Sequence, residues 1–321
     1  GTREVTSVNP EALTKSVAKQ AIDEALKAKN DEIESRTDLT DEEKAAAKSE
    51  AKAKADAAKE GIDKATTNAA VDQAKTNGTR EVTSINPAAV AKTAAKQAID
   101  EALKAKNNEI DARTDLTAEE KAKAKADAKA KADAAKEAID KATTNAAVDQ
   151  AQSTGTREVT SVNPEALTKS ATKQSINEAL KAKTDEIDSR TDLTDEEKTA
   201  AKADAKATAD AAKEAIDRAT TNAAVDQAQS TGTTELKVIN PQPVAKSAAK
   251  QSIDEALKAK TAEIDARTDL TDEEKTAAKA EAKKKADAAK EAIDKATTNA
   301  EVNQAQSTGT REVTSVNPEA L

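Results

Sequence analysis

The chain has 321 residues, 51 basic and 60 acidic, and contains no Cys, His, Met or aromatic residue. Its formal charge of −9 comes from interspersed signs, so it offers neither a basic patch for phosphates nor rings for stacking bases. Without Cys and His the common nucleophile–base pairs and zinc sites cannot be assembled, and no apolar run approaches the roughly 18 residues of a membrane span.

The phrase GTREVTSVNP opens the chain and returns unchanged at 155–164 and 309–318. It returns with Ile85 for Val8 at 78–87, and as GTTELKVINP at 232–241. Its glycines, Gly1, Gly78, Gly155, Gly232 and Gly309, stand 77 residues apart. A fixed period of this length marks a tandem array. Four repeats are expected, at 1–77, 78–154, 155–231 and 232–308, with 309–321 beginning a fifth. Both ends fall inside the pattern, so the chain reads as a piece of a longer array.

Within the first repeat, Asn9 and Pro10 read as the cap and first turn of a helix over about 10–36. Ala18, Ile22, Ala25, Leu26, Ile33 and the stem of Lys29 form one stripe at helical spacing. Asp23–Lys27 and Glu32–Arg36 are candidate i,i+4 ion pairs. The turn RTDLTDEEK follows, and Thr40 with Glu43 makes a capping box. A turn this short predicts an antiparallel second helix, with Leu39 plugging that end of the pair.

The second helix carries a seam of small residues, Ala47, Ala51, Ala55, Ala58, Ile62, Ala65 and Ala69, at helical spacings. Gly61 stands where the other repeats have Ala138, Ala215 and Ala292, at a cost of about 0.5–1 kcal/mol. Over ATTNAAVDQAKTN two readings stay open. Either the second helix continues to about Thr76, or Thr67 or Asn68 caps a third helix carrying Val71 and Ala74. Gly78 is expected to end the helix in both cases. The β-branched stretch TREVTSV then reads as an ordered, extended connector that docks Val5 and Val8, and Leu236, Val238 and Ile239 keep the divergent copy apolar. Each repeat has few large apolar residues, so contacts between neighbours are expected to add stability.

The residues that could carry chemistry have simpler explanations. DLTDEE lacks the glycine of a calcium loop, and a helix cap accounts for it. Asp41, Glu42 and Glu43 lie at an exposed helix start with nothing apolar to raise a pKa. Lys48, Lys52, Lys54 and Lys59 are interleaved with Glu50, Asp56, Glu60 and Asp63, as on a solvated face. The recurring Arg3, Arg80 and Arg157 are expected to pair locally with carboxylates. No catalytic, cofactor-binding or metal site is expected, and no cofactor.

The segments KQAIDEALKAK (19–29), RTDLTDEEK (36–44) and KATTNAAVDQA (64–74) resemble a family of tandem helical repeats of unknown function. That family occurs in Gram-positive cell-wall-anchored surface proteins, including staphylococcal matrix-binding proteins of the Ebh type and related streptococcal and lactobacillar adhesins. The resemblance covers nearly the whole chain, once per repeat, and implies a bacterial surface location, a binding head and a wall anchor outside this chain, and no catalytic residues.

The expected fold is all-α, four small antiparallel units (helical hairpins or three-helix bundles) joined by short extended connectors into a rod of about 160–200 Å. The expected role is the stalk of a surface adhesin, extensible under force. The alternative is a multivalent module in adhesion or biofilm formation for a host matrix or plasma protein such as fibronectin, albumin or immunoglobulin. The expected partners are neighbouring repeats and such a host protein, with no nucleic acid and no membrane insertion, and the chain is expected to be a monomer.

Overall fold

The computed structural model describes residues 10–320, with side chains from Ala12 onward. Among the described residues there are twelve helices and no strand. They are α1 (Pro10–Ser35), α2 (Asp41–Lys64), α3 (Asn68–Thr83), α4 (Val90–Ala112), α5 (Ala118–Lys141) and α6 (Asn145–Thr160). Then follow α7 (Leu167–Ser189), α8 (Asp195–Arg218), α9 (Asn222–Val238), α10 (Val244–Asp265), α11 (Asp272–Lys295) and α12 (Asn299–Thr314). Each run of three is one bundle, and every helix packs on the other two of its bundle in the first, third and fourth. The chain divides into two compact bodies. One holds the residues up to Arg113 with Glu120–Pro164, and the other holds Thr114–Glu119 with the residues from Glu165 on.

Each bundle closes around aliphatic side chains only. In the first, Ala18, Ile22, Ala55, Ile62, Val71 and Val82 form the core, with Leu26, Ala58 and Ala74 packed against it. The stripe of α1 and the alanine seam of α2 therefore face each other, as their spacings require. At the far end Leu39 packs with Ile33, Ala47, Ala51 and Ile85, closing the α1–α2 turn. Equivalent clusters recur in the other bundles.

The third-helix reading is the one that forms. The chain leaves α2 at Ala65, in an extended conformation, and Thr67 caps α3 by accepting the Ala70 N–H at 3.1 Å. Gly78 does not end this helix. It lies inside α3, buried beside Ala58 and Ile22, where the absence of a side chain lets α3 approach α2. A repeat boundary between 77 and 78 thus falls within α3.

The connector is half helical. TREVT at 79–83 completes α3, because burying Val82 in the core outweighs the few tenths of a kcal/mol per residue that β-branched residues lose in a helix. Only residues 84–89 lie between α3 and α4. Val5 and Val8 lie outside the described residues, but their counterparts Val82 and Ile85 are both buried. In the divergent copy Leu236 is buried, Ile239 packs on the core and Val238 is exposed.

The Asn-Pro pair does not start the helix in the later repeats. α4 begins at Val90, after Ala89, with no side-chain cap, and α7 and α10 do the same. Asn9 itself lies outside the described residues, and α1 runs from Pro10. The candidate ion pairs of α1 are also rearranged. Asp23 pairs with Lys59 across to α2 at 2.7 Å, Lys27 with Asp31 at 2.8 Å and Glu32 with Lys29 at 2.7 Å.

Candidate functional site: the joint between repeats

The most elaborate polar structure in the described residues is the joint where one bundle meets the next. It starts from the turn that sequence alone marks as a cap. Thr40 is 0 % exposed; its hydroxyl accepts the Glu43 N–H at 3.3 Å, and one Glu43 carboxylate oxygen accepts the Thr40 N–H at 3.0 Å. The other Glu43 oxygen accepts the Ala91 N–H, 2.9 Å away at the uncapped start of α4. The same carboxylate therefore caps two helices in two bundles. Burial pushes the Glu43 carboxyl up, but backbone N–H groups of Ala91, Thr40 and Val90 outweigh it and hold it below its ordinary value.

Lys92, only 4 % exposed, is the second anchor. Its ammonium donates to the Thr37 carbonyl at 2.9 Å in the first bundle and to the Asp140 carbonyl at 2.7 Å at the end of α5. A buried ammonium is tolerable here because carbonyl oxygens, one at the negative end of a helix, replace its water. Two further bonds cross the joint. The Asp41 N–H donates to the Thr143 carbonyl at 2.7 Å, and the Asn145 N–H donates to Glu42 at 3.0 Å. The unsatisfied amides at the starts of α2, α4 and α6 are thus met by the neighbouring bundle.

Arg36 pins the connector. Its fork grips Asp38 at 2.6–2.7 Å, while its outer nitrogens reach the Asn86 side chain and the Pro87 carbonyl, each at 3.3 Å. Asn86, left out of the helix, serves here instead of as a cap. The hydrogen bond from Arg36 is the main cause holding the Asp38 carboxyl below its ordinary value, and that bond raises the guanidinium in turn.

The second body repeats the lysine and amide bonds at two places, and the shared carboxylate cap at Glu197. Lys246 bonds the Thr191 and Asp294 carbonyls at 2.9 and 2.8 Å, Ala245 donates to Glu197, Asp195 to Thr297 and Asn299 to Glu196. Lys169 likewise bonds the Thr114 and Asp217 carbonyls, at 2.9 and 2.8 Å, with Ala118 donating to Thr220 and Asn222 to Glu119.

Of the residues singled out by sequence, Asp41 enters the joint through its N–H and Glu42 and Glu43 through their carboxylates. Lys48 pairs with Glu34, Lys52 with Asp56 and Lys59 with Asp23, all at the surface. Arg80 bonds the Asn77 side-chain oxygen at 3.2 Å and not a carboxylate, since Glu81 and Asp72 are placed elsewhere on α3. Lys92 and its counterparts Lys15, Lys169 and Lys246 carry no local motif, and only their exact recurrence at the repeat period marks them in the sequence. Among the described residues no group of three or more acidic side chains is placed to hold a metal ion, and no helix is long and apolar enough to cross a membrane.

A chain of capped three-helix bundles whose joints reuse the same few backbone and side-chain groups is a tandem helical-repeat protein. The family known as DUF1542, a domain of unknown function, matches residues 14–90, 91–167, 168–244 and 245–321, and the chain belongs to it. It is 31 % identical over 267 residues to the extracellular matrix-binding protein EbhA of Staphylococcus aureus strain Mu3, covering 83 % of this chain and 4 % of that protein. The same identity and coverage of this chain hold for EbhA of strain Newman and for ebh of strain JH9, of which the match spans 8 % and 2 %. The chain thus matches only a small part of these relatives' length. No solved structure matches it.

Proposed function

We propose that this chain is a spacer segment of a bacterial surface adhesin, wall-anchored in its full-length form, that holds a binding head away from the cell. The observation that supports this most is the recurring bond set of the joints: a buried lysine on two carbonyls, with a carboxylate cap shared between bundles at Glu43 and Glu197. Such joints restrict bending, which a spacer requires and a flexible tether does not. The same bundles make the spacer extensible. Each alanine-rich unit yields at modest force and releases up to about 250 Å of chain.

Small-angle scattering with circular dichroism on one sample tests the reading. A rod of about 180 Å gives a radius of gyration of about 50 Å, against about 20 Å for a compact globule of this length. Strong helicity with the compact value overturns the spacer role. Force spectroscopy lacking stepwise extension removes extensibility alone.

A second reading has its own support. The relatives are named as matrix-binding proteins, and Leu13, Val90, Leu167 and Val244 recur as exposed apolar residues once per repeat. Weak contacts of that kind multiply along an array. Retention of fibronectin, albumin or immunoglobulin on the immobilised chain, lost on changing all four to serine, supports binding; no retention removes it.

A further inference from the structure

Asn77 is followed by Gly78, and no other asparagine of the chain precedes a glycine. The later repeats carry Thr154, Thr231 and Thr308 at that place. Asparagine before glycine is the dipeptide most open to deamidation, because glycine puts no Cβ beside its own nitrogen and its backbone turns freely. The Gly78 nitrogen attacks Cγ of Asn77. The N–Cγ bond forms, the Cγ–Nδ2 bond breaks, and the side-chain amide leaves as ammonia, taking the proton of the Gly78 N–H. Water then opens the ring. Opening at the former main-chain carbonyl gives isoaspartate, whose backbone runs through Cβ and Cγ and is longer by one atom.

The folded chain blocks the first step. Both residues lie inside α3. Helical geometry commits the Gly78 N–H to the Ala74 carbonyl one turn back and holds ψ of Asn77 at about −42°, whereas ring closure needs ψ turned away from that value. The side chain is held too, because its Oδ1 accepts from Gln73 at 3.3 Å and from Arg80 at 3.2 Å. Val71 and Val82, on either side along α3, belong to the core, so α3 does not unwind at Asn77 without opening the bundle.

The product does not fit the folded chain. Gly78 is seated so closely against Ala58 and Ile22 that even a methyl group has no room there, and a backbone longer by one atom displaces it from that seat. The same bundle also carries Gly61 within α2, where the other repeats have alanine. That exchange opens it about two- to fivefold more often than alanine would.

We propose that Asn77–Gly78 is a modification site that records unfolding of the first bundle: closed α3 prevents deamidation, opening permits it, and the isoaspartate formed keeps the bundle from closing again. A transient opening is thereby converted into a lasting one, in this repeat and not in the three with threonine.

Peptide mass mapping of the full chain, aged at mildly alkaline pH with and without urea sufficient to unfold it, tests this. Isoaspartate at Asn77 is expected to form at least about tenfold faster in urea. Gly61→Ala is expected to slow the reaction about two- to fivefold without urea and to leave the rate in urea unchanged. Once urea is removed, the Ile62 and Val71 amides of the modified chain are expected to stay open to hydrogen exchange. Asn77→Thr, aged alike, regains protection, since threonine already fills this place in three repeats. No isoaspartate in either condition, or equal rates in both, overturns the proposal. So does a native rate that Gly61→Ala leaves unmoved, or a modified chain that regains the protection of Asn77→Thr.

Discussion

Placing a methyl group at Gly78 tests how closely α2 and α3 must approach. Gly78→Ala in an ordinary helix interior stabilises by about 1 kcal/mol. Here the new Cβ falls far inside van der Waals contact of the Ala58 Cβ and 2.9 Å from the Ile22 Cδ1. Ile22 could swing aside, but Ala58 has no rotamer to change, and its own Cα would lie 3.6 Å away. The backbones must therefore separate, opening a core whose other members on α2 and α3 are Ala55, Ile62, Val71 and Val82. Overpacking costs about 1–3 kcal/mol, and a clash with no rotamer to relieve it stands at the upper end, so after the helix gain of about 1 kcal/mol the net loss is about 2 kcal/mol. Bundles of this size shift their melting temperature by about 4–8 °C per kcal/mol, which predicts a drop of about 8–16 °C in the first bundle. Hydrogen exchange at the Ile62 and Val71 amides reads that bundle within the intact chain. Protection equal to or above wild type would refute the close-approach argument, and the same substitution at Gly155, Gly232 or Gly309 should behave alike.

Gly61→Ala is the opposite case: only the Ala74 Cβ lies within 4.0 Å, so the first bundle should gain about 0.5–1 kcal/mol in the same exchange measurement. Lys92→Met removes two charge-assisted bonds from a buried site and should weaken the joint by about 2–5 kcal/mol, seen as a broadened distance between fluorophores on α1 and α6 with helicity unchanged. One repeat expressed alone should melt below the full array, and equal melting temperatures would remove the coupling between bundles. Acid should act late. Arg267, through its hydrogen bonds, lowers the Asp269 carboxyl from 3.8 to about 2, and Arg36 and Arg190 lower Asp38 and Asp192. A carboxylate depressed by folding stabilises fully above its unfolded value and loses that contribution as pH falls through its folded value. Helicity by circular dichroism should therefore hold down to about pH 4 and fall between there and about pH 2.

Much of this was legible in the residues. The spacing of Ile22, Leu26 and Ile33, the alanine seam and the Thr40–Glu43 box set two helices and their turn, because periodicity and capping are local properties. What was misread is non-local. TREVT has the β-branched composition of an extended segment, and only the buried place waiting for Val82 makes it helical. Glycine after a helical stretch usually marks a helix end, whereas Gly78 marks a helix crossing. The joint was half legible. Glu43 was recognised as a cap for its own helix, but its second oxygen serves a residue 48 positions away, and Lys92 looks like any surface lysine until Thr37 and Asp140 are brought to it. Distances of that kind in sequence leave no local periodicity to detect.

The bonds that cross each joint end mostly on main-chain groups, which every amino acid supplies. Thr37, Asp140 and Thr143 contribute carbonyls, and Asp41, Ala91 and Asn145 contribute amides; Ala118 fills the place of Asp41 without loss of its bond. Two copies of the coding sequence can thus recombine out of step by any whole number of repeats. Each product inherits a working junction, whichever pair of repeats becomes adjacent. The length of the array then becomes a trait that one crossover can change, with no intermediate that has to evolve a new interface.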